Sequence, residues 1–158
     1  MDYSHDPIQL ATLADVETLD HIMQFTTQNL PNRDWFFDDD IDFIRRHINS
    51  DSGYTLKYMV DGEIAGFLII RYPGSDEDNL GCYLDLPDDQ LAYVAHMEST
   101  CVLPQYRGRR IFQQLTARAQ QRGQDSPDRL GMRAELLLPR GGAGGGLRPC
   151  HQHVSPDR

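Results

Sequence analysis

Two strand-like runs, Tyr54–Val60 and Glu63–Arg71, are separated by nothing but Asp61-Gly62. A two-residue connection of this kind needs positive φ at both central positions. Asp and Gly tolerate that, and the twist of such a turn matches that of paired strands. The hairpin commits the middle of the chain to an antiparallel pair, and a pair this apolar must be covered on at least one face. The flanking sequence supplies the cover. From Ala14 the apolar positions Val16, Leu19, Ile22, Met23 and Phe25 recur at helical spacing, which predicts a helix to about Asn29, broken by Leu30-Pro31-Asn32. Trp35-Phe36-Phe37 reads as an aromatic anchor leading into a second helix. Asp38, Asp39 and Asp40 would be one N-cap and two solvated charges, the commoner case, or would attract a cationic amine, with Ile41, Ile44 and Ile48 buried.

Further strands are expected at Ile8–Thr12 and Ala92–Val102, and a last helix from Ile111 to about Arg122, with Ile111, Leu115 and Ala119 on one side. Between them Pro73–Leu91 is acidic and rich in turn residues, a long excursion. No internal repeat is found.

Charge excludes several functions. The 158 residues fit one domain and carry a formal net charge of −9, which leaves no basic stripe for nucleic acid and no attraction to anionic lipid. Neither partner is therefore expected, whereas a small amine-bearing substrate is compatible with the acidity. The N-terminus is polar and acidic, unlike a signal peptide, and no apolar run approaches the about 18 residues of a membrane span, so a cytoplasmic location is expected. Cys82, Cys101 and Cys150 show no C-x-x-C spacing, so no zinc site is expected. Cys150-His151-Gln152-His153 has ligand types without further ligands or a rigid setting.

The segment that carries chemistry is His96–Leu115. Pro104–Gly108 is a turn that feeds the last helix, and a helix N-terminus presents unpaired backbone N–H groups and the positive end of the helix dipole. A glycine lets a phosphate approach such a nest closely. Arg107, Arg109 and Arg110 surround Gly108 in an acidic chain, which points to a polyanion, with a solvated basic turn as the plainer alternative. On the strand before the turn, strict alternation puts His96, Glu98, Thr100 and Val102 on one face and Met97, Ser99 and Cys101 on the other. No G-K-[ST] follows the turn, so a nucleotide-phosphate enzyme is not expected.

These residues resemble the acetyl-CoA-binding motif of the GNAT N-acetyltransferase superfamily, in which a strand ends in V-x-P-x-Y and an R/Q-x-x-G-x-G/A turn opens a helix. Here the matching residues are Val102, Pro104, Tyr106 and Arg107, with Gly108 beside Arg107 at a position the pattern leaves open. The resemblance covers roughly Ile8–Arg122. It implies an α/β (α+β) fold with a mixed, mostly antiparallel sheet flanked by helices, and an N-acetyltransferase that moves an acetyl group from acetyl-CoA, its co-substrate, to a primary amine of a small molecule. Thr100, Cys101, Val102, Arg107, Gly108, Arg109, Arg110, Ile111 and Phe112 would bind the cofactor. Glu98 would be the general base, as in glucosamine-phosphate N-acetyltransferase-like members, and His96 would assist it; an exposed strand carboxylate and a structural histidine are the alternatives. The sequence departs from the pattern at Arg110 and Phe112, where small residues are expected. That departure motivates a second reading, a catalytically weak or inactive acyl-CoA-binding module.

Composition shifts after residue 122. Seven of the thirteen glycines lie in 123–158, which carries a formal +1 against −10 for residues 1–122. Residues 1–122 are expected to form the GNAT-like domain and 123–158 a Gly/Arg/Pro-rich flexible segment with at most one strand, Arg133–Leu138 or His151–Asp157. The family domain continues with a strand and helix, so the C-terminal part is expected to be truncated or divergent, leaving a sheet edge through which a homodimer would form.

Overall fold

A computed structural model describes residues 6–32, 34 and 39–125. The expectations for Trp35–Asp38 and for the glycine-rich segment, including both candidate strands there and Cys150–His153, lie outside the described residues.

The hairpin forms as the sequence demands. β3 (Gly53–Val60) and β4 (Glu63–Arg71) pair antiparallel, Val60 opposite Glu63, and the turn residues Asp61 and Gly62 have φ of 49° and 83°. β1 (Ile8–Leu10) and the two-residue β2 (Asn49–Ser50) pair with β3, while β5 (His96–Val102) pairs with β4. The result is a mixed α/β fold around a five-stranded antiparallel sheet with path β1-β3-β4-β5. The later strand is shorter than expected: α3 (Asp88–Leu91) and a turn occupy the approach to β5.

Helices cover both faces. α1 (Val16–Gln28) buries Leu19, Ile22 and Met23, and α2 (Ile41–Arg46) adds Ile44, against Ile64, Phe67 and Ile69 of β4 and Cys101 of β5. On the opposite face α4 (Ile111–Asp125) sets Ile111, Leu115 and Ala119 on Leu56, Leu68 and Ile70. Alternation along β4 thus feeds two cores, which is why its residues 64–70 are all buried. Asp40 proves to be the N-cap of α2, accepting the Phe43 N–H at 2.6 Å. The excursion is ordered by Asn79, fully buried, whose amide donates to the Gly74 and Leu91 carbonyls and accepts the Gly81 N–H. No described helix is long and apolar enough to cross a membrane.

Candidate active site

β5 does not alternate strictly. Leu68 faces Thr100 while Ile70 faces Met97, so Glu98 and Ser99 share a single partner position on β4, a β-bulge. The extra residue reverses the facing of everything on one side of it. Met97 and Val102 pack toward α4, and Thr100 lies opposite Leu68 of that core, whereas Cys101 is buried toward α1. His96 and Glu98 lie with Arg71. The expectation of one face shared by His96, Glu98, Thr100 and Val102 is therefore corrected: period two holds only within an unbroken ladder.

At the bulge, one carboxylate oxygen of Glu98 accepts from Arg71 at 3.0 Å and faces His96 Nδ1 at 3.3 Å. The His96 hydrogen bond and then the Arg71 charge hold the Glu98 carboxyl below the usual range, although partial burial opposes them. His96 is buried, and its Nε2 accepts the Leu80 N–H at 3.1 Å, which fixes the tautomer with the proton on Nδ1, toward Glu98. Arg71 also reaches Asp76 and Asp78 on the excursion. Across the bulge the Ser99 hydroxyl donates to Asp39, whose carboxyl burial raises, with the Glu98 charge adding to the shift. Asp39 is thus tied to the sheet rather than solvated as the sequence suggested.

Arg71 and Asp78 did not stand out in the sequence, and Asp39 did so only as one member of an acidic run, with no sign of its bond to Ser99. Cross-strand register and the fold of the excursion bring them to Glu98, and neither leaves a local pattern.

Below the bulge, the Leu103 N–H donates to the Ala65 carbonyl, so alternation turns the N–H and C=O groups of Thr100 and Val102 away from β4 toward the strand's other side. Cys101 is 1% exposed, and burial pushes its thiol up to about 12, which leaves it a core residue at neutral pH.

Pro104–Tyr106 makes one 3-10 turn, and Arg107–Arg110 leads into α4. Gly108 has φ +81° and Arg110 φ +59°. The backbone thus takes a left-handed conformation at the position where an arginine stands for a small residue. Arg110 begins the helix, its carbonyl accepting the Gln114 N–H at 3.1 Å, yet its side chain holds only donors and cannot cap the first turn. Arg109 sits over the Tyr106 ring, 5.3 Å from its centroid. Ile111 is buried beneath the helix, so only its backbone bears on the turn, and Phe112 is 43% exposed and leaves the helix–sheet contact undisturbed. A nest of helix-start N–H groups flanked by arginines fits a pyrophosphate, and the main-chain groups of Thr100 and Val102, which pair with no strand among the described residues, fit an amide-bearing arm.

Residues 16–135 match the model of the Acetyltransferase (GNAT) family. Among solved structures the chain is similar to an N-acetyltransferase from Staphylococcus aureus Mu50, at 17% identity over 73% of this chain and 75% of that one, TM-score 0.45. It is similar also to a possible acetyltransferase from Clostridium difficile 630, at 16% identity over 72% and 68%, TM-score 0.48. A structure described as an acetyltransferase is 20% identical over 73% of each chain, TM-score 0.45. No curated protein matches the chain.

Proposed function

The chain belongs to the GNAT acetyltransferase family, and on that premise we propose that it moves an acetyl group from acetyl-CoA to a primary amine of a small molecule. The observation that carries the reading is the arrangement at the two ends of β5. A carboxylate stands at a bulge in the strand, and an arginine-flanked turn opens a helix beyond its end. Glu98 precedes Val102 by four residues, roughly 13 Å of strand, a span suited to an extended thioester arm whose phosphates rest on Arg107–Arg110 and the first turn of α4.

In this reading Thr100 and Val102 hydrogen-bond the arm through their main chain, with Cys101 between them as core support. Gly108 and Arg110 shape the nest through their left-handed backbones, and Ile111 and Phe112 contribute backbone N–H groups. The acceptor nitrogen attacks the thioester carbonyl and its proton passes to Glu98, directly or through water. The C–S bond breaks, the acetyl group stays on nitrogen as an amide, and CoA leaves as a thiolate that takes its proton from solvent. His96 orients Glu98 through its Nδ1–H. Because Arg71 and His96 keep Glu98 ionised, it is ready to receive the proton, though its basicity is modest. The same reading assigns the protein to the cytoplasm.

One observation favours a second reading, an acyl-CoA-binding module with weak or no catalysis: Arg110 holds a conformation that costs a non-glycine residue about 1–2 kcal/mol. Thiol release from acetyl-CoA, measured across a panel of primary amines, separates the two. Acceptor-dependent release that falls in Glu98→Gln, with CoA affinity retained, supports the enzyme. CoA binding without acceptor-dependent release supports the module.

A further inference from the structure

A cavity of about 540 Å³ lies between α1, the turn end of the β3–β4 hairpin and the turn that follows β5. It opens on the α1 face of the sheet, opposite α4, and beyond the end of β5 away from Glu98. Nothing in the acetyl-transfer reading uses it, and its volume suits one small organic molecule.

Its chemistry is two-sided. Ile22, Met59, Ile64 and Leu103 line it and belong to the apolar layer beneath α1, and Phe25, 39% exposed, adds an aromatic wall. The polar lining includes the carboxylates of Asp15 and Glu63, and among the described residues no lysine or arginine is part of it. The two acids are not equivalent. Asp15 is already neutralised by Lys57 at 2.8 Å and accepts the Thr12 N–H at 2.7 Å. Glu63 is exposed, and among the described residues it accepts one neutral donor, the Tyr106 hydroxyl, at 3.3 Å on Oε2, which leaves its charge uncancelled by them. Thr18, His21 and Gln105 complete the lining with hydrogen-bonding groups. An anionic ligand would meet uncompensated like charge. A wholly apolar one would strip water from the carboxylate without replacing it. A small cation with an apolar or aromatic body satisfies both parts, its ring against Phe25 and the aliphatic floor and its charge at Glu63.

We propose that this cavity is a binding site for a small organic cation with an aromatic or apolar body, anchored by Glu63 and distinct from the carboxylate at the β5 bulge.

The test is titration of the full chain with benzylammonium chloride, without acyl-CoA, followed by amide and His ring NMR shifts, with benzyl alcohol as the neutral comparison. Saturable shifts are expected at His21, Phe25, Glu63 and Gln105. Benzyl alcohol and Glu63→Gln should each bind about fivefold more weakly, Thr18→Trp should fill the cavity and abolish the shifts, and Glu98→Gln should leave the affinity unchanged. Circular dichroism and a thermal melt confirm that each variant folds. No saturation at millimolar ligand in the folded wild type overturns the proposal. So does equal binding of the neutral compound or of Glu63→Gln, or shifts that centre on Glu98 and vanish in Glu98→Gln. Because no acyl donor is present, none of these outcomes depends on whether the protein transfers acetyl groups.

Discussion

Glu98 meets Arg71 and His96 on one carboxylate oxygen. That geometry sets its behaviour with pH. A carboxyl held below its ordinary value contributes stability that is present above the unfolded value and is lost as pH falls through the folded one. In the proposed reaction the same shift should keep the acid limb of kcat/KM below the ordinary glutamate range. Arg71→Met removes one cause, so in the proposed reaction the limb should move to higher pH while His96 still orients the base; an unmoved limb in a pH–rate profile would place the titrating group elsewhere. Arg110 offers a second handle at this scale. Glycine in its place relieves left-handed strain of about 1–2 kcal/mol, partly offset by about 0.5–1 kcal/mol of added freedom in the unfolded chain. Arg110→Gly should therefore raise stability by up to about 1.5 kcal/mol in chemical denaturation and strengthen CoA binding. A loss of stability would mean that the arginine makes contacts worth more than its strain.

β5 is the element on which the proposed chemistry turns, and its distance from β4 is set by Gly66. A Cβ there would come within 2.7 Å of the Cys101 carbonyl oxygen and 3.1 Å of the Val102 side chain. Backbone cannot yield as a flexible side chain can, so Gly66→Ala should push β5 outward just below the bulge. The expected cost is about 1–3 kcal/mol in the denaturation midpoint, together with weaker CoA binding, since the main-chain groups of Thr100 and Val102 would move. Unchanged binding in the destabilised variant would count against the assignment of the arm to this strand. Sequence made β5 recognisable but not its bulge. Nothing in His96–Val102 tells a reader that Glu98 and Ser99 share one partner, because a bulge is a relation between two strands. α2 shows the opposite case: its start in the acidic run and its buried Ile44 are legible because capping and helical spacing are local, although the helix ends at Arg46 and Ile48 is buried beyond it.

At the scale of the molecule, residues 1–122 carry −10, so the proposed anionic co-substrate would be drawn to them where arginines gather. Arg107, Arg109 and Arg110 supply that gathering at the helix start. Saturating CoA at about a hundred times its Kd should add about 2.7 kcal/mol to stability. Affinity should fall as ionic strength rises from about 0.05 to about 0.5 M, because exposed charges are screened. Isothermal titration at the two salt levels checks this, and salt-independent affinity would move the phosphates away from the turn. The sequence by itself determined the hairpin, the amphipathic helices, the arginine-glycine turn and the family they imply. Each is written in contacts between near neighbours along the chain or in a motif that backbone geometry requires. Only the tertiary structure decided that Glu98 is bound by Arg71 and His96, that Asp39 joins it through Ser99, and that a separate cavity lies beneath α1. Those arrangements depend on register and on packing between elements far apart in sequence, and no period along a single chain encodes them.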